Sequence, residues 1–337
     1  MKRILIHDVT LRDGNHAISH KMTAVQIAAY AAAADAAGVP VVEVGHGNGL
    51  GASSLQVGES AISDELMLKT ARMNLPDSKL AIHVIPGFAT INKDLKLAID
   101  NGVDVVRVAS HCTEADITQR HINYVRDRGK EAYGVLMMSH MASKETLVEE
   151  SQKMESYGAE GVIIFDSAGT YLPGQVSERV RELVASLNIP VGFHAHNNLG
   201  LGIANSMAAA EAGASIIDGS ARGFGAGSGN AQIEVLIAVL EKMDYQTGVD
   251  FYRMLDAADL AERDLLKEIP RIKSLSIVSG LSGVFSGFIK PVERISREFN
   301  VDARDVLFEL GRRQVVAGQE DIIIDVVSKL CATKDER

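Results

Sequence analysis

Two histidines stand two residues apart in Phe193-His194-Ala195-His196-Asn197. On a β-strand, side chains at i and i+2 leave the same face, so both imidazoles can turn to one side and hold a single cation. Alone, such a pair is explained as well by structural or surface placement. Asp13, in Thr10-Leu11-Arg12-Asp13-Gly14, strengthens the reading if the fold brings the strand before it close to the strand of the histidines. A carboxylate and two imidazoles with open positions suit a six-coordinate divalent ion with oxygen-rich remaining sites, Mn2+ or Mg2+ more than structural zinc. Other polar residues gather where apolar runs end: Asp8, Arg12 and His16; Glu43 and His46; His83; Arg107, Ser110 and His111; Ser139 and His140; Asp166 and Ser167; Asn197 and Asn198. With His194 and His196, seven of the ten histidines fall at these strand ends, where chance would scatter more of them onto helix surfaces.

Elements able to gather residues so far apart alternate along the chain. Short aliphatic runs read as strands over Arg3–His7, Val41–Val44, Leu80–Ile85, Val103–Ala109, Ala132–Met137, Gly161–Phe165, Val191–His194 and Ser215–Asp218. They are rich in β-branched residues and of strand length, as in parallel sheets covered on both faces. Helical patterns lie between them, for example at Thr23–Ala37, Asp94–Asn101, Lys144–Tyr157, Val176–Leu187 and Ala204–Ala212, and Gly38, Gly102, Gly158 and Gly213 are placed to end helices. Eight such units predict an α/β fold, a (β/α)8 barrel whose last helix lies near Gln232–Lys242. Polar groups at strand ends then share one mouth. Beyond Tyr245 the pattern turns to helices alone, at Phe251–Glu268, Val292–Phe299, Ala303–Gly311 and Asp321–Leu330. This predicts a catalytic barrel over 1–245 and a helical appendix over 246–337, either a capping or oligomerising element or a partner-binding one.

Composition agrees with a compact chain and a large aliphatic core: 46% hydrophobic, 23% charged, no Trp. Disordered and fibrous classes are excluded. With 34 basic against 44 acidic residues, the net charge of -10 and the lack of a basic cluster argue against nucleic acid. No apolar run is long enough to span a bilayer, and Met1-Lys2-Arg3-Ile4-Leu5-Ile6 meets His7 and Asp8 too soon for a signal peptide, so a cytoplasmic protein is expected. Cys112 and Cys331 form no CxxC pattern.

Three runs together resemble the DRE-TIM metallolyase superfamily: Asp8-Val9-Thr10-Leu11-Arg12-Asp13-Gly14-Asn15-His16-Ala17, His194-Ala195-His196-Asn197-Asn198-Leu199-Gly200, and Gly223-Phe224-Gly225-Ala226-Gly227-Ser228-Gly229-Asn230-Ala231. Within it the chain is similar to 4-hydroxy-2-oxovalerate (4-hydroxy-2-oxoacid) aldolases from end to end. The shared runs include His111-Cys112-Thr113-Glu114-Ala115-Asp116, Met137-Met138-Ser139-His140-Met141, Arg312-Arg313-Gln314 and Gly318-Gln319-Glu320-Asp321. The resemblance implies a TIM barrel and a class II pyruvate aldolase that cleaves a 4-hydroxy-2-oxoacid to pyruvate and an aldehyde. Its divalent ion, Mn2+ with Mg2+ or Co2+ as substitutes, falls to Asp13, His194 and His196.

The same resemblance makes Arg12 the positive charge at the enolate oxygen and His16 the general base; His20 and His46 are alternatives for the base, with a structural role the more natural one for both. Ser167 is assigned to the pyruvate carboxylate, and Asn230 to the metal or its edge, with loop capping as the competing role. Glu43 and Asp166 are read as orienting Arg12 and the histidines, or else as members of a buried salt bridge. Met137 and Met138 read as core packing. Two departures bear on the pocket: Phe285 stands where these aldolases carry Tyr, and His83 where they carry Leu. Both are expected to touch the aldehyde half of the substrate. Family members of this length pair with an acylating acetaldehyde dehydrogenase, so that partner is expected, a homodimer being the alternative use of the appendix.

A Claisen-type synthase using an acyl-CoA and a 2-oxoacid, or a hydroxymethylglutaryl-CoA-lyase-like enzyme, is the alternative within the superfamily. The former usually has a longer C-terminal regulatory region. The latter carries a Cys in the glycine-rich loop, which here reads Gly225-Ala226-Gly227-Ser228-Gly229. A catalytically dead subunit is disfavoured by the presence of Arg12, Asp13, His16, His194 and His196 together.

Overall fold

A computed structural model describes residues 2–316 and 318–335. Eight parallel strands close into a barrel in sequence order: β1 (Leu5–Leu11), β2 (Val41–Val44), β3 (Lys79–Val84), β4 (Val105–His111), β5 (Glu131–Met137), β6 (Val162–Asp166), β7 (Val191–Ala195) and β8 (Ile216–Gly219). β1 and β8 pair with His7 opposite Asp218 and Asp8 opposite Gly219. The expected α/β barrel is therefore the fold. β1 differs most from expectation, continuing through Asp8 and Thr10, polar residues that look like a strand end. Asp8 is satisfied there by the Thr10 N–H at 2.9 Å and the Tyr30 hydroxyl at 2.7 Å, so the buried strand runs on to Leu11. Lys2–Arg3 pairs separately with Tyr245–Gln246.

The helices between strands start and stop for local reasons. Thr23 caps helix Ala24–Ala36 in a reciprocal capping box with Gln26. Gly213, at φ +109°, ends helix Gly202–Ala212 in the left-handed region that a side chain at this position would resist. Helix Phe251–Asp264 buries Met254, Ala257, Ala258 and Ala261 against the barrel's own apolar shell. The remaining helices, Ser274–Ser282, Ile289–Glu298, Ala303–Arg312 and Ile322–Asp335, surround a second core that includes Val284, Phe288, Val292, Val306, Leu310 and Val327. No helix among the described residues is long and apolar enough to cross a membrane.

Inside the barrel the strand period of two sorts residues into layers. Leu5, Val41, Ala81, Val105 and Ile216 belong to an apolar layer. Two residues further along the same strands come His7, Glu43, His83, Arg107 and Asp218, all buried. An apolar floor thus carries a charged storey directly beneath the mouth.

Candidate active site

Asp13, just beyond β1, and His194 and His196, on and just beyond β7, offer ligand atoms that all lie within 4.8 Å of one another. No other such group of three occurs among the described residues. Asp13 Oδ1 accepts from Arg12 Nη1 at 2.7 Å, and its Oδ2 from Asn230 Nδ2 at 2.8 Å and from the Ala226 N–H at 3.3 Å. Burial alone would raise the Asp13 carboxyl, but Arg12 and the three neighbouring imidazoles hold it well below the usual carboxylate range. Burial lowers His196 to about 3, leaving its ring neutral. An ionised carboxylate and a neutral imidazole are the forms that bind a metal. Four buried polar atoms here have no partner among the described residues: Arg12 Nη2, His194 Nε2, His196 Nδ1 and Asn230 Oδ1. Buried polar atoms are rarely left so, which makes this donor set a fitting seat for a divalent ion and an anionic ligand. The glycine-rich loop is shaped to this contact: a Cβ on Gly225 would come within 2.4 Å of Asn230 Nδ2 and 2.5 Å of Asp13 Oδ2.

Arg12 is held in place by Glu43, which bonds its Nε, and by the Gly47 carbonyl at 3.2 Å. Burial would raise the Glu43 carboxyl too, but Arg107 and Arg12 keep it at about 2. The expected orienting role of Glu43 therefore has a geometric basis. The Asp166 carboxylate instead accepts the Thr170 and Tyr171 N–H groups of its own loop at 2.9 and 3.1 Å and is raised to about 7 by burial; it bonds neither Arg12 nor an imidazole. Ser167 Oγ accepts the Met138 N–H at 3.0 Å, keeping its own hydrogen to donate. His83 faces the barrel interior, stacked on Phe165 with ring centroids 5.9 Å apart, and its Nδ1 has no partner.

Three imidazoles cluster at the mouth. His20 and His46 stack at 3.6 Å. His20 accepts the Gly47 N–H at Nδ1 and bonds the Val57 backbone, and His46 accepts the Asn48 N–H and bonds the Gly58 carbonyl at 3.0 Å. Both rings are committed to holding the loop after β2. His16, by contrast, makes no hydrogen bond through its ring to any described residue and lines an open cavity of about 820 Å3 between the barrel mouth and the C-terminal helices. Burial pushes it down to about 4, so near neutral pH it is in the proton-accepting form. A Cβ on Gly47 would lie 2.5 Å from the ring, so glycine there makes room for it.

The C-terminal region forms the far wall of this cavity. Phe285 meets His16 edge-on at 6.5 Å, Ser286 donates from N and Oγ to the Ser167 carbonyl, and Lys290 Nζ donates to the His16 and Ala17 carbonyls, both at 2.8 Å. Other residues of the polar set turn elsewhere: Ser139 to the Phe165 carbonyl, His140 to the Gly283 carbonyl, His111 to Thr113. Two residues matter more than the sequence indicated. Arg107 bonds both Glu43 and Asp218, and Asp218 bonds His194 Nδ1 at 2.9 Å. Their only signal is a charge inside an otherwise apolar strand.

The chain is 67% identical over 327 residues, 97% of its length and 96% of the relative's, to a 4-hydroxy-2-oxovalerate aldolase from Spirochaeta aurantia. The chain belongs to the 4-hydroxy-2-oxovalerate aldolase family. A second aldolase of this name, from Pectobacterium atrosepticum, is 60% identical over 98% of this chain and 96% of its own. The aldolase barrel matches the HMGL-like family over residues 3–261, and residues 270–332 match the DmpG-like communication domain. The carboxyl transferase domain of Rhizobium etli pyruvate carboxylase, solved with pyruvate and biocytin, superposes with a TM-score of 0.83 at 15% identity, covering 99% of this chain and 61% of that one; it shares the fold. Members of this aldolase family are carbon–carbon lyases, and as metallolyases they imply a divalent ion, for which Asp13, His194 and His196 are the fitting residues.

Proposed function

We propose that the chain cleaves 4-hydroxy-2-oxoacids to pyruvate and an aldehyde, with Mn2+ held by Asp13, His194 and His196. The observation that carries this reading is the set of unpartnered buried atoms around Asp13, which offers ligand lone pairs and one free guanidinium N–H group together. A divalent ion supplies Lewis-acid chemistry at the 2-oxo group, a contribution of several kcal/mol. His16 takes the proton of the 4-hydroxyl. The C3–C4 bond then breaks, its electron pair passing towards C3 and the C2 oxygen, while C4 leaves as the aldehyde carbonyl. Arg12, fixed by Glu43 and Asp13 with Nη2 free, stabilises the negative charge on the enolate oxygen. Protonation at C3 gives pyruvate. Ser167 is assigned to the substrate carboxylate, and Asn230, whose Nδ2 already bonds Asp13, offers Oδ1 beside the ion.

The test is direct: the Mn2+-loaded protein is given racemic 4-hydroxy-2-oxoacids of increasing chain length and pyruvate is followed with lactate dehydrogenase and NADH. Pyruvate release dependent on the 4-hydroxyl supports the reading, and inertness towards the whole series removes it. For the aldehyde half, His83 favours a polar or acidic group, because its buried Nδ1 has no partner among the described residues and leaving such a polar atom against an alkyl chain costs about 1–3 kcal/mol. If the acetaldehyde-yielding substrate is already the best and His83→Leu leaves the preference unchanged, this assignment fails. The communication-domain match supports an acylating acetaldehyde dehydrogenase as partner, and co-purification of the two chains tests it.

A further inference from the structure

Behind the proposed ligands runs a chain of alternating charge, and both of its ends are ligand residues. Asp13 accepts from Arg12 Nη1, Arg12 Nε donates to Glu43 Oε1, Arg107 Nη1 donates to Glu43 Oε2 at 2.6 Å, Arg107 Nη2 donates to Asp218 Oδ2, and the same Oδ2 lies 2.9 Å from His194 Nδ1. No member is more than 4% exposed, and the chain draws on the turn after β1 and on β2, β4, β7 and β8. A cation between Asp13 and His194 would close it into a ring.

We propose that Arg107 and Asp218 are positioning residues of the metal centre, Asp218 fixing which nitrogen of His194 faces the ion and Arg107 aiming Asp218 and Glu43 together. This rests on the reading that Asp13, His194 and His196 hold a divalent ion. An ionised carboxylate only accepts hydrogen bonds, so His194 must carry its proton on Nδ1 and present the Nε2 lone pair. His194 Nε2 is one of the buried atoms left without a protein partner, as that arrangement requires. Asp218 stands as the carboxylate partner of Arg107, which donates Nη2 to its Oδ2. Arg107 reaches two carboxylates because a guanidinium is a rigid fork; an ammonium at the same place would serve one of them poorly. Through Glu43 the same fork sets the torsion of Arg12 that leaves Nη2 free. One buried residue therefore orients a metal ligand on one side and the substrate-facing cation on the other. A salt bridge serving only stability would contribute the same burial without affecting the ion.

The experiment uses full-length metal-free wild type, Asp218→Asn and Arg107→Lys. Mn2+ affinity is measured by calorimetry, the His194 tautomer by 15N NMR of imidazole-labelled protein, and folding by thermal melting. In the wild type His194 should be a single Nδ1–H tautomer. In Asp218→Asn the amide can turn its NH2 towards Nδ1, so the Nε2–H form should appear and Mn2+ affinity should fall about 10- to 100-fold in protein that still melts cooperatively. Arg107→Lys should lose affinity in the same range while keeping the charge. Wild-type affinity and an unchanged tautomer in folded Asp218→Asn overturn the proposal, whatever Arg107→Lys does. If the wild type itself binds no Mn2+, the metal reading fails first and the proposal falls with it.

Discussion

Replacing His16 with Ala removes, of the three clustered imidazoles His16, His20 and His46, the one whose ring makes no hydrogen bond to a described residue. A general base of this kind contributes about 10²- to 10⁴-fold, or roughly 3–5 kcal/mol of barrier. The structure favours the upper part of that range, because the neighbouring imidazoles cannot step in: His20 and His46 have ring nitrogens engaged by the Gly47, Val57, Asn48 and Gly58 backbone. The loss should fall on kcat alone. Asp13 keeps its bonds to Arg12, Asn230 and Ala226, so the ligand set is untouched and Mn2+ affinity should stay within about twofold of wild type, about 0.4 kcal/mol. The assay is steady-state pyruvate release with a parallel Mn2+ titration by calorimetry. A His16→Ala enzyme retaining kcat within tenfold, or losing metal affinity along with activity, would refute the assignment of His16 as base.

Three further outcomes are expected. Phe285→Tyr places a hydroxyl opposite His16 and should sharpen discrimination between the two C4 epimers, read as the ratio of kcat/KM for the resolved substrates; an unchanged ratio counts against a role for this ring in the pocket. Lys290→Met removes two 2.8 Å donations to the carbonyls of His16 and Ala17, in the short helix Gly14–Ala17. It should lower kcat about tenfold with KM little changed, and loss of melting temperature without any kinetic effect would confine Lys290 to stability. Glu43 is lowered from 4.5 to about 2, so its ionised form contributes stability that is fully present above pH 4.5 and lost as pH falls towards 2. The amount is about 3 kcal/mol. Urea midpoints of the wild type should decline through that window, and those of Glu43→Gln should decline less steeply; parallel declines would show that the carboxylate is not held by its arginines.

The barrel was legible because its strands are long enough and apolar enough to be separated by helices with their own caps, and the His194, His196 and Asp13 constellation because strand period and strand order together determine where they meet. What escaped the sequence reading was polar chemistry satisfied at a distance. Asp8 and Thr10 look like the end of β1 only until Tyr30, 22 and 20 positions away, is seen to pair with them. Arg107 and Asp218 are separated by 111 positions, and each by itself resembles a stray charge in an otherwise apolar strand. Asp166 reads from the sequence as orienting Arg12 and the histidines or as a member of a buried salt bridge, yet its carboxylate folds back on two backbone N–H groups, a choice set by the local turn. His20 and His46 were set apart from His16 by backbone partners that residue type does not reveal. The C-terminal helices were visible as helices, but not that Phe285, Ser286 and Lys290 would wall the mouth of the barrel.

The most direct test of metal-dependent aldol cleavage at Asp13, His194 and His196 is pyruvate release after exhaustive chelation, with residual metal measured by mass spectrometry, followed by stoichiometric return of Mn2+. Activity should vanish with the metal and come back with about one equivalent in the wild type, while Asp13→Ala, His194→Ala and His196→Ala should need far more metal or stay inactive. Full activity in protein shown to be free of metal would contradict the account.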